Sequence, residues 1–179
     1  MTKKVLIISA SPRRNGNSDI LCDEFLKGAQ KAGHEVEKVF LRDKNIKYCI
    51  GCYTCEKTKG VCVYKDDMPE LLQKIIDADV LVLATPVYFY CMNAQLKTVI
   101  DRTVARYTEI KNKDAYLIAT AGESEMEAME GTITSFRSFI DCLENIREAG
   151  LVLGHGVHEL GEVKENPAMQ EAYQTGLAV

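Results

Sequence analysis

Residues 5–20 read Val5-Leu-Ile-Ile-Ser-Ala-Ser-Pro-Arg-Arg-Asn-Gly-Asn-Ser-Asp-Ile20. The continuous apolar run Val5–Ile8 is the pattern of a strand buried on both faces of a parallel sheet. A polar loop with Gly16 follows, and then Ile20, Leu21, Phe25, Ala29 and Ala32 recur at helical spacing until Gly33 supplies a C-terminal stop. The segment is therefore a strand, a loop of phosphate size and a helix.

The same alternation continues along the chain. Residues 35–41 form a second strand; Glu37 and Lys38 within it suit a sheet edge. Asp67 and Glu70 resemble a capping box before a helix carrying Leu71, Leu72, Ile75 and Ile76. Residues 80–84 (Val-Leu-Val-Leu-Ala) are a buried third strand ended by Thr85-Pro86, and residues 95–105 place Leu96, Val99, Ile100 and Val104 on one helical face. Residues 116–120 give a fourth strand, Met126 to Leu143 a long helix, residues 151–153 the start of a fifth strand, and 167–177 a closing helix of poor periodicity. Strands alternating with helices imply right-handed crossovers and an α/β, doubly wound, five-stranded parallel sheet. A polar second strand at the edge favours the flavodoxin-like order 2-1-3-4-5, with the ligand beyond the carboxyl ends of the strands. Residues 9–18, 85–93 and 120–124 then converge.

The 179 residues, 46% hydrophobic and 27% charged, suit one domain over 1–179 with a cysteine-rich loop at 47–65. A net charge of −4 disfavours nucleic acid and anionic membrane as partners. The longest mainly apolar stretch, 80–92, falls short of the roughly 20 residues of a membrane span, and the run behind Lys3 and Lys4 is too short for a signal peptide. The expected compartment is the cytoplasm, where four cysteines clustered among seven point to metal or redox chemistry.

The loop 9–18 offers what a phosphate monoester needs: backbone N–H groups at a helix N-terminus, small hydroxyls, amides and two cations. It is neither a Walker loop nor a G-x-G-x-x-G turn. It lacks the acidic residues of a phospho-acceptor domain and the cysteine of a low-molecular-weight phosphatase, leaving binding of the phosphate or a plain polar turn. The exit of the third strand, Thr85-Pro-Val-Tyr-Phe-Tyr90, suits a flat heterocycle, or else an aromatic cap on the core or a subunit contact. Thr120-Ala-Gly-Glu123 is small enough to admit backbone N–H groups to the same ring.

Ser11-Pro-Arg-Arg-Asn-Gly-Asn-Ser18, Pro86-Val-Tyr-Phe89 and Leu96-Lys-Thr-Val-Ile-Asp-Arg102, in this order, resemble the NAD(P)H-dependent FMN reductase superfamily. The cysteine run resembles its iron–sulfur flavoprotein branch. The resemblance implies that Ser11, Arg13, Asn17 and Ser18 hold the FMN phosphate, that Pro86, Val87, Tyr88 and Phe89 contact the isoalloxazine, and that Thr120, Ala121, Gly122 and Glu123 border it. It also implies NADPH or NADH as electron donor and a homodimer or higher homo-oligomer. Met92-Asn-Ala-Gln95 departs from the Gly-containing turn of many relatives.

Cys49, Cys52, Cys55 and Cys62 have two-residue spacers and one longer spacer, which suits a [4Fe–4S] cluster as in the iron–sulfur flavoproteins; zinc, free thiols and a regulatory disulfide are the alternatives. Cys22 and Cys142 read as core, and Cys91 as a small packing residue. His34, His155 and His158 are set apart from the three loops and receive no role. Asp101 and Arg102 read as a helix-surface or interface pair, and Glu125, Glu127 and Glu130 as a solvated face. No side chain is assigned as nucleophile or acid. The expected function is an FMN-dependent oxidoreductase passing electrons from a nicotinamide to a small-molecule or protein acceptor. The alternatives are an electron-transfer module between ferredoxin-like donors and an acceptor, without nicotinamide turnover, and a zinc-stabilised binding domain.

Overall fold

In the computed structural model, which describes residues 1–179, the chain forms β1 (Lys4–Ser9), α1 (Asn17–Lys31), β2 (Glu35–Phe40), a one-turn α2 (Thr54–Lys57), α3 (Met68–Asp77), β3 (Val80–Tyr88), β4 (Cys91–Met92), α4 (Ala94–Arg102), β5 (Lys111–Thr120), α5 (Glu127–Asp141), β6 (Glu144–Gly154) and α6 (Ala168–Leu177). The main sheet runs β2-β1-β3-β5-β6, all parallel, and β4 pairs antiparallel with the end of β3. The expected order of five parallel strands is present, and the sixth strand is a two-residue hairpin arm that the aromatic run concealed.

The continuous apolar strands are explained by the two cores. Leu6, Ile8, Leu81 and Leu83 point into a cluster closed by Leu71, Leu96 and Phe136, while Val5, Ile7, Val80 and Val82 point into a second cluster closed by Leu21, Phe25 and Ala172. With a side-chain period of two and helices on both faces, the central positions of both strands, Val5–Ile8 and Val80–Ala84, are all apolar.

Several boundaries differ from those read in the sequence. β5 begins at Lys111 rather than Tyr116, because polar residues lead it in; Lys113 is buried and donates Nζ to the carbonyls of Ile76 and Ala78. Burial lowers the pKa of that amine. β6 begins at Glu144, directly after α5 ends at Asp141, so Leu143 is not helical. The early part of β6 lies at the sheet edge, where Arg147 bonds Asp114 and Glu148 pairs with Arg137, a charged pattern that hides a strand. The α4 helix stops at Arg102 and a short 3-10 turn covers Thr103–Ala105. Asp67 makes no capping bond; its carboxylate accepts from the Asn45 N–H instead. Cys22 is buried and its thiol pKa raised by burial, whereas Cys142 is exposed and not part of the core.

The weak periodicity of α6 has a physical reason. It packs backbone to backbone on α1: a Cβ on Gly28 would lie 2.2 Å from the Tyr173 carbonyl oxygen, and one on Gly176 would lie 2.1 Å from that of Phe25. Small residues, not a broad apolar stripe, make this contact. In a free helix Gly→Ala is stabilising by about 1 kcal/mol. At Gly28 the sign inverts: G28A should destabilise by about 1–3 kcal/mol in urea unfolding, and a stabilised variant would disprove the close packing.

Candidate functional site

A cleft of about 860 Å³ opens at the carboxyl ends of the strands, lined by residues of all three expected loops. Arg13 and Asn17, Pro86 to Phe89, and Thr120 to Glu123 all face it. Ser11 and Ser18 do not: both are buried behind the loop. Tyr90, Met92 and Asn93 of the expected 85–93 loop also line it, and Ala94, Ala128 and the segment Val157–His158 join the wall from outside the three expected loops.

The floor is the N-terminus of α1. No side chain caps this helix, so the positive end of its dipole is open to an anion. The Ser18 hydroxyl is buried without a hydrogen-bond partner, an arrangement that ordinarily costs about 1–3 kcal/mol. Gly16 is required for the fold of the loop, since a Cβ there would lie 2.3 Å from Ser11 Oγ. Ser11 Oγ donates to the Arg13 carbonyl and accepts from the Arg13 N–H, at 2.8 and 3.2 Å. Asp19 ties the loop down: its carboxylate accepts from Ser9 Oγ and from the Asn15 N–H, and Lys38 balances its charge.

Asn17 is engaged in protein contacts. Its Nδ2 donates to the carbonyls of Val157 and Glu159, and its Oδ1 accepts from the N–H groups of Gly161 and Val163. It thereby fastens the loop after β6 to the helix N-terminus. This draws His158 into the site, contrary to its reading as a remote residue: its ring lies against Gly122, and its carbonyl accepts from Arg13 at 3.4 Å. A long-range tie between two loops far apart in sequence leaves no local signal.

The opposite wall is the β3–β4 hairpin. Phe89 and Tyr90 both take positive φ, 49° and 63°, the geometry of a two-residue type I′ turn that normally selects Asn and Gly. Bulky residues there store strain of about 1–3 kcal/mol each. The hairpin is seated on α5 at Gly131, where a Cβ would lie 2.3 Å from the Tyr90 carbonyl oxygen. Cys91, exposed on β4, lies beside that glycine. Phe89 is 98% exposed, an aromatic side chain on the rim with nothing covering it.

Asn93 joins the two walls. Its Oδ1 caps α4 by accepting from the Leu96 N–H, its Nδ2 donates to the Ala10 carbonyl at 2.6 Å, and its own N–H donates to Thr85 Oγ1.

The cysteine loop forms a second site at the other end of α4. Its base is clipped by two aspartates: Asp66 accepts from the Lys47 N–H and Asp67 from that of Asn45. Cys49, Cys52, Cys55 and Cys62 all line one cleft of about 250 Å³, together with Arg102. No three side chains of the His, Cys, Asp or Glu type converge so as to hold a single metal ion. The Thr54 hydroxyl and N–H lower the pKa of the Cys52 thiol. Asp101 is on the surface, paired with Lys97, but Arg102 is buried and bonds Asp66 at 2.7 Å, so the two are not a surface pair. Burial raises the Asp66 pKa, but hydrogen bonds from Arg102 and from two backbone N–H groups outweigh it and hold the carboxyl below its ordinary value. No helix is long and apolar enough to cross a membrane.

Truncating Asn93 to alanine removes a helix cap and orphans the buried Ala10 carbonyl. N93A should cost about 2–4 kcal/mol by urea unfolding; a loss under 1 kcal/mol would show that the two walls do not depend on it.

Comparison with known proteins agrees with this geometry. Residues 3–144 match the family described as NADPH-dependent FMN reductase. An iron–sulfur flavoprotein of Archaeoglobus fulgidus is 40% identical over 176 residues, covering 97% of this chain and 77% of that protein. An iron–sulfur flavoprotein of Methanosarcina thermophila is 30% identical over 94% of this chain and 85% of its own length. In fold, the chain is similar to the NAD(P)H:quinone oxidoreductase of Methanothermobacter marburgensis, with a TM-score of 0.77 at 20% identity, covering 99% and 96% of the two chains. With a strand-end cleft built from the three motif loops and a match across residues 3–144, the chain belongs to the NADPH-dependent FMN reductase family.

Proposed function

We propose that the protein is a cytoplasmic FMN-dependent oxidoreductase that takes electrons from NADPH or NADH and hands them to a small-molecule or protein acceptor, with a [4Fe–4S] centre on its cysteine loop. The observation that carries the flavin reading is the phosphate-sized floor of the cleft. An uncapped helix N-terminus, a buried Ser18 hydroxyl with no partner, and a loop whose shape depends on Gly16 fit a phosphate dianion.

When bound, FMN would supply the hydride chemistry between nicotinamide and acceptor. The residues of the chain do the positioning. The first N–H groups of α1 would take the phosphate, with the partnerless Ser18 hydroxyl buried beneath them as a further donor, and Arg13, exposed at the cleft mouth, would add a cation beside it. Ser11 and Asn17 shape the site from behind by fixing Arg13 and the Val157–Val163 segment. Pro86, Val87, Tyr88 and Phe89 supply the face and edge of the ring site. Thr120, Ala121, Gly122 and Glu123 supply its other border, where the absence of a side chain at Gly122 leaves room for His158. The hairpin is held by Gly131 and Asn93 before any ligand arrives, which reduces the ordering cost of binding. The uncovered Phe89 and half-exposed Tyr88 and Tyr90 on the rim favour a second copy of the chain as cover, hence a homodimer.

Four thiols that line one cleft of about 250 Å³, three of them at two-residue spacers, support a polynuclear centre on this loop. Such a centre supplies one-electron exchange. Cys49, Cys52, Cys55 and Cys62 would be its ligands.

The reading is tested by anaerobic purification with flavin, iron and sulfide quantification, followed by stopped-flow mixing with NADPH and NADH. The expected result is FMN near one per chain, four irons per chain, and rapid bleaching of the flavin band. Flavin that stays oxidised would leave an electron carrier without nicotinamide turnover, and a flavin-free, zinc-loaded protein would overturn the reading altogether. Arg13→Ala should weaken FMN binding about tenfold or more, measured by flavin fluorescence quenching.

A further inference from the structure

We propose that Arg102 is the positioning residue of the cysteine cleft: its guanidinium fastens both feet of the 47–65 loop and sets a fixed positive charge behind the four thiols. This rests on the reading that the cleft holds an iron–sulfur centre, and it adds a residue from outside the cysteine run to that site.

Arg102 is buried at the last turn of α4, and its contacts all belong to the cysteine loop. Nη1 donates to the Lys47 carbonyl at 2.6 Å and to Asp66 Oδ2 at 2.7 Å, while Nη2 donates to Asp66 Oδ1 at 3.0 Å. Lys47 precedes Cys49 and Asp66 follows Cys62, so one planar fork grips the entry and the exit of the loop. The guanidinium carbon lies 5.3 Å from the centre of the Tyr64 ring, on the exit segment of the loop. Arg102 also lines the cleft alongside all four cysteines.

Beyond the Asp66 and Asp67 clips at its base, the bonds of Thr58 and the approach of Gly60 to Arg106, the loop has no packed core to order it. It contains one short helical turn, Thr54–Lys57, with no buried residue, and its apolar side chains Tyr48, Ile50, Tyr53, Val61 and Val63 are exposed. A segment without a core of its own must be fixed by its ends, and the ends meet at Arg102. The charge has a second consequence. A group that gains an electron is favoured by a nearby cation, so Arg102 raises the reduction potential of whatever the thiols ligate, and Asp66 lowers it.

Three variants separate these roles: Arg102→Gln, which removes the charge and the fork; Arg102→Lys, which keeps the charge without the fork; and Asp66→Asn, which keeps the guanidinium and removes its anchor. Hydrogen exchange on the FMN-loaded, iron-free protein reads the loop alone. In R102Q, amides of residues 47–65 should exchange at least about tenfold faster than in the parent protein, and the rest of the chain should be unchanged. In the reconstituted holoprotein, a potentiometric titration followed by electron paramagnetic resonance should show a lower midpoint for R102Q, a midpoint near the parent value for R102K, and a higher midpoint for D66N. Opposite shifts in R102Q and D66N are not produced by loosening alone. The FMN-to-protein ratio controls for global misfolding, and D66N carries the test if R102Q does not fold. Unaltered exchange in both R102Q and D66N overturns the proposal, and shifts of the same sign overturn its electrostatic half. A parent protein that takes up no iron, with exchange still accelerated in R102Q, overturns the cluster reading and leaves the role of Arg102 in positioning the thiols intact.

Discussion

The buried amide of Asn93 is the contact on which the ligand cleft depends. In a doubly wound sheet the chain leaves β1 and β3 in opposite directions, and the crevice between their exits is the binding site. Something has to hold that crevice at a fixed width without filling it. Asn93 does so by donating to the Ala10 carbonyl after β1 while its backbone N–H is anchored to Thr85 in β3. The same side chain starts α4 by accepting from Leu96. An apolar residue of equal size would leave two buried backbone groups, the Ala10 carbonyl and the Leu96 N–H, without these partners, and such groups cost more than the net value of the bonds they make.

Around this fixed point the two walls are rigid for different reasons. The phosphate floor is rigid because Gly16, Ser11 and Asp19 leave the loop no alternative path. The aromatic wall is rigid although its turn is locally unfavourable. Phe89 and Tyr90 hold positive φ because Gly131 allows α5 to approach the turn and because β4 is paired to β3. Strain of this kind persists where surrounding packing over-determines the backbone, and it leaves the Phe89 ring free on the rim. Pre-organisation of both walls fits a site that binds a flat cofactor and must not collapse when it is empty.

Much of this was legible in the residues. The unbroken apolar runs of β1 and β3 announced a sheet covered on both faces, and the loop of residues 9–18 was expected at the strand-end cleft, which Arg13 and Asn17 do line. What stayed hidden is physical in kind. The first halves of β5 and β6 are charged because they lie at the entrance or edge of the sheet, so their pattern is that of a surface loop. Asn17 bonds the carbonyls on either side of His158, those of Val157 and Glu159, across 140 and 142 positions of chain, and no local period reports such a meeting. The aromatic run after Pro86 has strand propensity throughout, so the reversal at Phe89–Tyr90 goes against its own sequence. Arg102 follows Asp101 on an apparently amphipathic helix, and only the fold turns it inward to Asp66, 36 positions away.

The two sites are therefore not independent attachments to the sheet. Both are framed by α4: Asn93 at its N-terminal end sets the width of the ligand cleft, and Arg102 at its C-terminal end grips the cysteine loop. A helix of 9 residues is about 13–14 Å long, which is short enough to be stiff, and Leu96 and Val99 seat it on the sheet core. A rigid strut of this length keeps the cysteine cleft at a constant separation from the strand-end cleft within one chain. Electron exchange between two centres falls steeply with distance, so, on the proposed reading, a scaffold that fixes the separation with buried polar contacts at both ends of α4 suits exchange between a flavin and a cluster.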